Sequence, residues 1–224
     1  VTLTLNVTPV DVGVTVPPAG VDNYALGDVA VVSAHAIGRS FSHWIGDASG
    51  SNNTMFVSMD TDKSLTAIFS VSVTVYRVDS NSTAPIPDGQ SWATAYPDIQ
   101  SAVDAAFTAG GGEVWVASSI YYPPGLSYIS MRQSVAIYGG FVGTETARIE
   151  RDWAANITTI SGTGEFCVAG ANYALLDGFV ITDGYGYKGG GMYNCLSSPT
   201  VINCTFAGNS ASYGGGMYNI VSSP

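Results

Sequence analysis

The chain has 224 residues, of which 46% are apolar and only 11% charged, and its net charge is −10. Such a composition excludes intrinsic disorder, which needs low hydrophobicity and high charge, and excludes long helices and coiled coils, which need abundant Ala, Glu, Lys, Leu and Arg. The seven cations (Arg39, Lys63, Arg77, Arg132, Arg148, Arg151 and Lys188) are scattered, which excludes a nucleic-acid interface and insertion into an anionic membrane, because phosphate binding needs clustered Lys and Arg and no apolar run approaches the ~20 residues of a membrane span.

Residues 1–70 read as strands. Val1-Thr2-Leu3-Thr4-Leu5-Asn6-Val7 alternates apolar and polar residues, the mark of a half-buried strand. Pro17-Pro18-Ala19-Gly20 is a turn, Val29–Ala34 a strand, Asp60–Ser64 a polar turn, and Leu65–Phe69 a second alternating strand. Phe41 and Trp44 are expected to anchor a small core, with Gly46-Asp47 and Asp60 to Asp62 as turn chemistry. No stretch here has a helical period. His35 and His43, both in this module, support neither a zinc site nor a Ser-His-Asp arrangement. Asp60 and Asp62 are the only calcium candidates, and two acids in a turn are ordinarily just a turn.

The run Phe41-Ser42-His43-Trp44-Ile45-Gly46-Asp47, followed by Met59-Asp60-Thr61-Asp62-Lys63-Ser64-Leu65-Thr66-Ala67-Ile68-Phe69, resembles the divergent internalin-type B-repeat of bacterial surface proteins. The resemblance covers about seventy residues. It implies a small β-grasp-like module, residues 1–71, used as a spacer or adhesive unit at a bacterial cell surface.

Residues 72–112 are expected to form a linker strand and a helix. The strand is Val71–Val78, and Pro85, Pro87 and Gly89 follow it. In the helix, expected over 94–110, Ile99, Ala102, Val103 and Ala106 fall on one apolar stripe. Asp98 can cap its start, and Gly110-Gly111-Gly112 ends it. Glu113–Ala117 is then a strand. Further strands are expected at Ser134–Tyr138, Ile157–Ile160, Phe166–Val168, Leu175–Thr182 and Val201–Phe206, with glycine-rich turns between them.

A repeat decides the fold of this part. Gly189-Gly190-Gly191-Met192-Tyr193-Asn194-Cys195-Leu196-Ser197-Ser198-Pro199 recurs from Gly214 to Pro224 with nine of eleven positions identical and an offset of 25. A fixed period of that length signals a solenoid. Strand-length segments at this period suit one coil of a parallel β-helix, with coils stacked about 4.8 Å apart. Ile202, Cys204 and Phe206 would face inward, Asn194 and Asn219 would stack in a turn, and the glycine triplets would supply positive φ angles at corners. Tyr193 and Tyr218 would stack too, pinning the register or offering a ladder to a sugar or partner protein. Cys167, Cys195 and Cys204 are expected as small buried apolar residues, with one disulfide as the alternative. Gly184-Tyr185-Gly186-Tyr187-Lys188-Gly189 matches a dinucleotide fingerprint, but no helix follows it.

Asp88–Ala106, with Trp92 and the helix, resembles the entry segment of right-handed β-helix proteins. Val135-Ala136-Ile137-Tyr138-Gly139-Gly140-Phe141-Val142-Gly143-Thr144-Glu145-Thr146 and Arg151-Asp152-Trp153 are similar to a block of polymorphic outer-membrane-protein-like surface proteins. The resemblance implies an exported, pectate-lyase-like right-handed parallel β-helix whose N-terminal α-helix caps the first coil. The expected class is therefore all-β, with residues 113–224 forming about four or five coils.

Val1 lies inside a strand-like pattern and Ile220–Pro224 stops inside a repeat, so the chain reads as a fragment of a longer protein. The expected function is a non-catalytic structural and adhesive segment of a large exported bacterial surface protein, extracellular and without a cofactor. Its expected partners are a host or neighbouring-cell surface protein or a polysaccharide, with end-to-end self-association through an open C-terminal coil. One rival is a self-assembling fibre subunit. Another is a carbohydrate-active β-helix enzyme, a lyase or glycosidase with its site in missing coils. Asp177, Asp183, Arg148, Arg151 and Lys188 are its only raw material here, and no acid pair among them repeats at 25 residues.

Overall fold

A computed structural model describes residues 1–10, 12–70, 72–123 and 128–224. Strands dominate it, so the protein is broadly all-β. It divides into two compact units, Val1–Val73 and Thr74–Pro224.

The first unit holds β1 (Thr2–Thr8), β2 (Gly13–Val16), β3 (Gly20–Asn23), β4 (Val29–Ala36), β5 (Phe41–Gly46), β6 (Thr54–Ser58) and β7 (Lys63–Phe69). One sheet runs β3-β1-β7-β5 and the other β2-β4-β6. The central β1–β7 pair is parallel and every other pair is antiparallel. Alternation puts Leu3, Leu5, Leu65 and Phe69 of the first sheet, and Ala30, Val32, Ala34 and Val57 of the second, into one core. A β-grasp arrangement, a sheet wrapped on a helix, is not what forms. The described residues here contain no helix, and the two sheets cover each other's apolar faces instead.

Trp44 is fully buried, and its Nε1 donates to Asn52 O at 3.1 Å. Phe41 is only half-buried, its ring 5.6 Å from Trp44 and 5.7 Å from Phe69, so Trp44 anchors the core and Phe41 closes its margin. Gly46 takes φ +117 at a place where a Cβ would meet Ser64 O at 2.2 Å, and Asp47 Oδ2 accepts from Ser64 N. The Gly-Asp pair is thus the hinge on which β5 meets β7. The expected turn at Asp60–Ser64 is shorter, because β7 already starts at Lys63.

The second unit starts with β8 (Val75–Val78), helix α1 (Ile99–Thr108) and β9 (Gly112–Ala117). Val71, where the first of these strands was expected to begin, lies outside the described residues. Rounds of short strands follow: β10 (Ile120–Tyr121), β11 (Ile129–Ser130) and β12 (Val135–Phe141); then β13 (Thr159–Ser161), β14 (Val168–Ala169) and β15 (Leu175–Asp177). Next come β16 (Val180–Thr182), β17 (Tyr185–Lys188), β18 (Met192–Cys195) and β19 (Thr200–Ile202); then β20 (Thr205–Phe206), β21 (Ser210–Tyr213) and β22 (Met217–Ile220).

Like strands of successive rounds pair side by side. The sheets are β8-β9-β12-β15-β19, β10-β13-β16-β20, β11-β14-β18-β22 and β17-β21, and every pairing in them is parallel. The 25-residue repeat is a register: Met192 pairs with Met217, Tyr193 with Tyr218 and Asn194 with Asn219. Val114, Ile137, Leu176, Ile160, Ile181, Val168 and Met192, from three of these sheets, share one core. Each such side chain contributes roughly 1.5–3 kcal/mol when fully buried.

Corners break two of the expected strands. Leu175–Thr182 is split at Gly178, which has φ +84, and Val201–Phe206 at Asn203, with φ +51. The corner at Asn203 resets the alternation. Ile202 therefore faces water, 43% exposed, while Val201, Cys204 and Phe206 pack on the core. Only the first glycine of each triplet has a positive φ, Gly189 at +66 and Gly214 at +63. In the first triplet the other two allow close backbone approach, since a Cβ on Gly190 would meet Ser210 O at 2.6 Å and one on Gly191 would meet Gly216 O at 2.4 Å. The motif from Gly184 to Gly189 is a strand and turn with no helix after it.

Helix α1 is shorter than expected because Pro97 keeps the preceding residue out of the helical region. Trp92–Thr94 forms a separate 3-10 turn. Asp98 is the N-cap and accepts from Ser101 N at 2.8 Å. The stripe Ile99, Ala102, Val103 and Ala106 enters the core. Gln100, also buried, turns to β11: its Nε2 donates to Ser130 O at 3.3 Å and its Oε1 accepts from Ser130 N at 2.8 Å. The side-chain amide replaces the peptide group of a neighbouring strand on the outermost strand of that sheet.

Candidate functional site

Two side-chain rows on the outer face of the β8-β9-β12-β15-β19 sheet build a dense polar cluster in the second unit. Register aligns Arg77, Trp115, Tyr138, Asp177 and Ile202 across five strands. Glu113 stands one row over, two residues before Trp115. Alternation gives this face to Glu113 and Trp115 because Val114 and Val116 face the core.

A loop, residues 142–158, folds down onto these rows. It exists because the step from Ala136 to its partner Leu175 takes 39 residues, whereas that from Leu175 to Thr200 takes 25. Glycines let its backbone touch the sheet. A Cβ on Gly140, φ +92, would lie 2.4 Å from Trp153 Cα, and one on Gly178 would lie 2.7 Å from Trp153 Cβ.

The loop delivers two arginines. Arg148 Nη1 donates to Glu113 Oε1 and to the Tyr138 hydroxyl, both at 2.6 Å. Trp115 Nε1 donates to the other Glu113 oxygen at 2.8 Å. Arg151 pairs with the Asp177 carboxylate and donates to Gly139 O at 3.0 Å and Asp177 O at 3.2 Å. Asn203 Nδ2 fills Asp177 Oδ1 at 2.8 Å. The two guanidinium groups lie 4.6 and 5.0 Å from the Tyr138 ring centre, inside the cation–π range. Glu113 and Asp177 are each 5% exposed. Beside them runs a groove of about 640 Å³, lined by Tyr138, Arg148, Arg151, Trp153 and Asp177 among others.

Chemically this is a clamp. Each carboxylate is ion-paired and hydrogen-bonded, and arginine has no proton to give up near neutrality. Burial pushes the Tyr138 hydroxyl up to about 12, so it carries no charge there either. Of the candidates named from sequence, Arg148, Arg151 and Asp177 meet. Asp183 instead accepts from Ser161 Oγ, and Lys188 sits over the Tyr218 ring at 5.1 Å. Glu113, Trp115 and Tyr138 were not among the sequence candidates. Their signal is the alternation within the strands Glu113–Ala117 and Ser134–Tyr138, which sets these three opposite Val114, Val116 and Ile137.

The loop is tied at its start by Glu145, whose carboxylate accepts from the N–H groups of Val142 at 2.6 Å, Gly143 at 3.0 Å and Thr144 at 2.9 Å. Burial pushes its pKa up, and the backbone N–H bonds more than offset this, holding it below the usual value. A depressed folded-state pKa adds stability above the unfolded value, about 4.3, and that stability disappears as pH falls through the folded value. The gap in urea midpoint between the native chain and Glu145→Gln is therefore expected to be full at pH 6–7 and to close in acid. A gap that widens in acid would contradict this.

Aromatic rings form a second feature. Tyr128, Phe166, Tyr193 and Tyr218 stack in sequence with centroids 4.5, 5.3 and 6.0 Å apart. Asn194 is fully buried and donates through Nδ2 to Asn219 Oδ1 at 2.8 Å. These asparagines lie in strands β18 and β22, not in a turn. The three thiols are free; Cys167 is buried, Cys204 half-buried and Cys195 exposed. Period two places Cys195 with Tyr193 on the outward phase, so it is not the buried residue expected. Burial pushes Cys167 and Cys204 up to about 11, leaving inert thiols.

In the first unit, Asp60 Oδ1 lies 2.5 Å from Lys63 Nζ, and Asp62 Oδ1 accepts from Thr2 N at 2.7 Å. Among the described residues no group of three or more His, Cys, Asp and Glu is placed to hold a metal ion. No family model, curated protein or solved structure matches the chain.

Proposed function

We propose that this chain is a non-catalytic, stiff and adhesive segment of an exported bacterial surface protein. In this reading a B-repeat-like module precedes the start of a right-handed parallel β-helix whose first coil is covered by α1. The observation that carries it is the parallel stacking of identical residues, Met192 on Met217 and Tyr193 on Tyr218, in which each added coil finds its partner in the one before. Length and stiffness are what such stacking provides. The clamp supports the non-catalytic part. Its acids are held by arginines where a glycosidase would need one protonated and one free.

The test is turnover. The chain is incubated with neutral and acidic polysaccharides, and reducing ends and unsaturated uronates are followed. No product above the buffer rate is expected. Product formation that disappears in an Asp177→Asn variant would replace this reading with a lyase or glycosidase.

A further inference from the structure

Between β17 and the aromatic ladder lies a cleft of about 260 Å³, lined by Glu165, Phe166, Gly186, Tyr187, Lys188 and Tyr193. Ligand pockets for drug-sized molecules usually measure about 300–1,000 Å³, so this one holds a single ring. Its walls are unequal. Both faces of Tyr193 are taken, one by Phe166 and the other by Tyr218, whose ring is tilted only 10° from it. Tyr187 meets Tyr213 edge to face, at 81°, and remains 66% exposed. Tyr187 therefore offers exposed ring surface, and the ladder offers a fixed edge opposite.

The polar groups are a donor and an acceptor. The Lys188 ammonium forms no ion pair with any described acid and rests on the Tyr218 ring. Glu165 lies at the exposed rim with its carboxylate free to accept. A hydroxylated ring both gives and takes hydrogen bonds, and its C–H face packs on an aromatic ring. A polyanion would meet one ammonium on a chain of net charge −10, and that balance repels it. We infer that the cleft binds one pyranose unit of a neutral polysaccharide, stacked on Tyr187, with its hydroxyls between Lys188 and Glu165. This rests on the adhesive reading above and names what is gripped.

Gly186 gives a mild way to fill the cleft. A Cβ there meets nothing closer than 3.6 Å, and Ala211 occupies the paired position on the next strand. The full chain is titrated calorimetrically with gluco-, manno- and galacto-hexaose and with hexagalacturonate. At least one neutral hexaose is expected to bind with a Kd of about 1 mM or tighter, and hexagalacturonate more weakly. Tyr187→Ala and Gly186→Ala should each weaken binding about tenfold, the scale of one lost stacking contact. Tyr185→Ala, exposed but outside the cleft, should not. Failure of every neutral hexaose to bind overturns the inference and leaves the aromatic face to a protein partner. Unchanged binding by Tyr187→Ala, or tighter binding of hexagalacturonate, overturns it as well. Cleavage of a bound hexaose unseats the non-catalytic reading and leaves the cleft standing, whereas absent binding without turnover does the reverse.

Discussion

Replacing Arg151 by alanine is expected to destabilise the second unit by about 3–5 kcal/mol, the cost of stranding a buried charge. Asp177 is 5% exposed and Arg151 is its ionic partner. Without the guanidinium, Gly139 O and the Asp177 carbonyl also lose a donor, and Asn203 alone remains on the carboxylate. Arg151→Lys keeps the charge but not the fork that reaches three oxygens, so it recovers only part of the loss. The double variant Arg151→Met with Asp177→Leu removes both charges and should be less destabilised than Arg151→Ala. Urea unfolding of the three variants checks this. An Arg151→Ala chain within about 1 kcal/mol of native stability, the range of a surface pair, would mean that the clamp is open to water.

Trp44→Ala is expected to cost the first unit about 3–5 kcal/mol, as for other large-to-small changes in a core. The indole is fully buried between the two sheets. Its removal leaves a cavity, orphans Asn52 O and takes away the ring on which Phe41 leans. Trp44→Phe keeps most of the volume and loses the N–H, so it should fall between. Thermal unfolding followed by hydrogen exchange at Leu5, Val32 and Leu65 gives the readout, because those amides belong to this core. Protection there that stays at the native level in Trp44→Ala would show that the tryptophan is not the anchor.

The elements legible from sequence were those whose signal is local. Identical blocks at Gly189 and Gly214 gave the register, and Asp98 with the stripe from Ile99 to Ala106 gave the helix. Corners were harder. Leu175–Thr182 and Val201–Phe206 are apolar-rich, and one turn residue pair in the first, Asp177-Gly178, and one residue in the second, Asn203, mark the bends at which the backbone turns into the next sheet. Ile202 was misplaced for that reason. The clamp was least legible, because its contacts join residues 26 and 35 apart through a loop that interrupts the repeat. Arg148, between Ala147 and Ile149, and Arg151, between Glu150 and Asp152, carry no sign of such pairing in their neighbours. In the first unit the absence of a helical period is local and plain, whereas the packing of two sheets on each other rests on contacts between strands far apart in sequence.

The amide of Gln100 has a directional consequence. A side chain that imitates a peptide unit fills the positions on Ser130 where another strand would dock, so β11 is closed to lateral recruitment at its outer edge. Accretion on that sheet is then polar: a new strand would add beside β22, at the opposite edge of the order β11-β14-β18-β22, and not beside β11. The molecule carries its own origin, a place where counting starts.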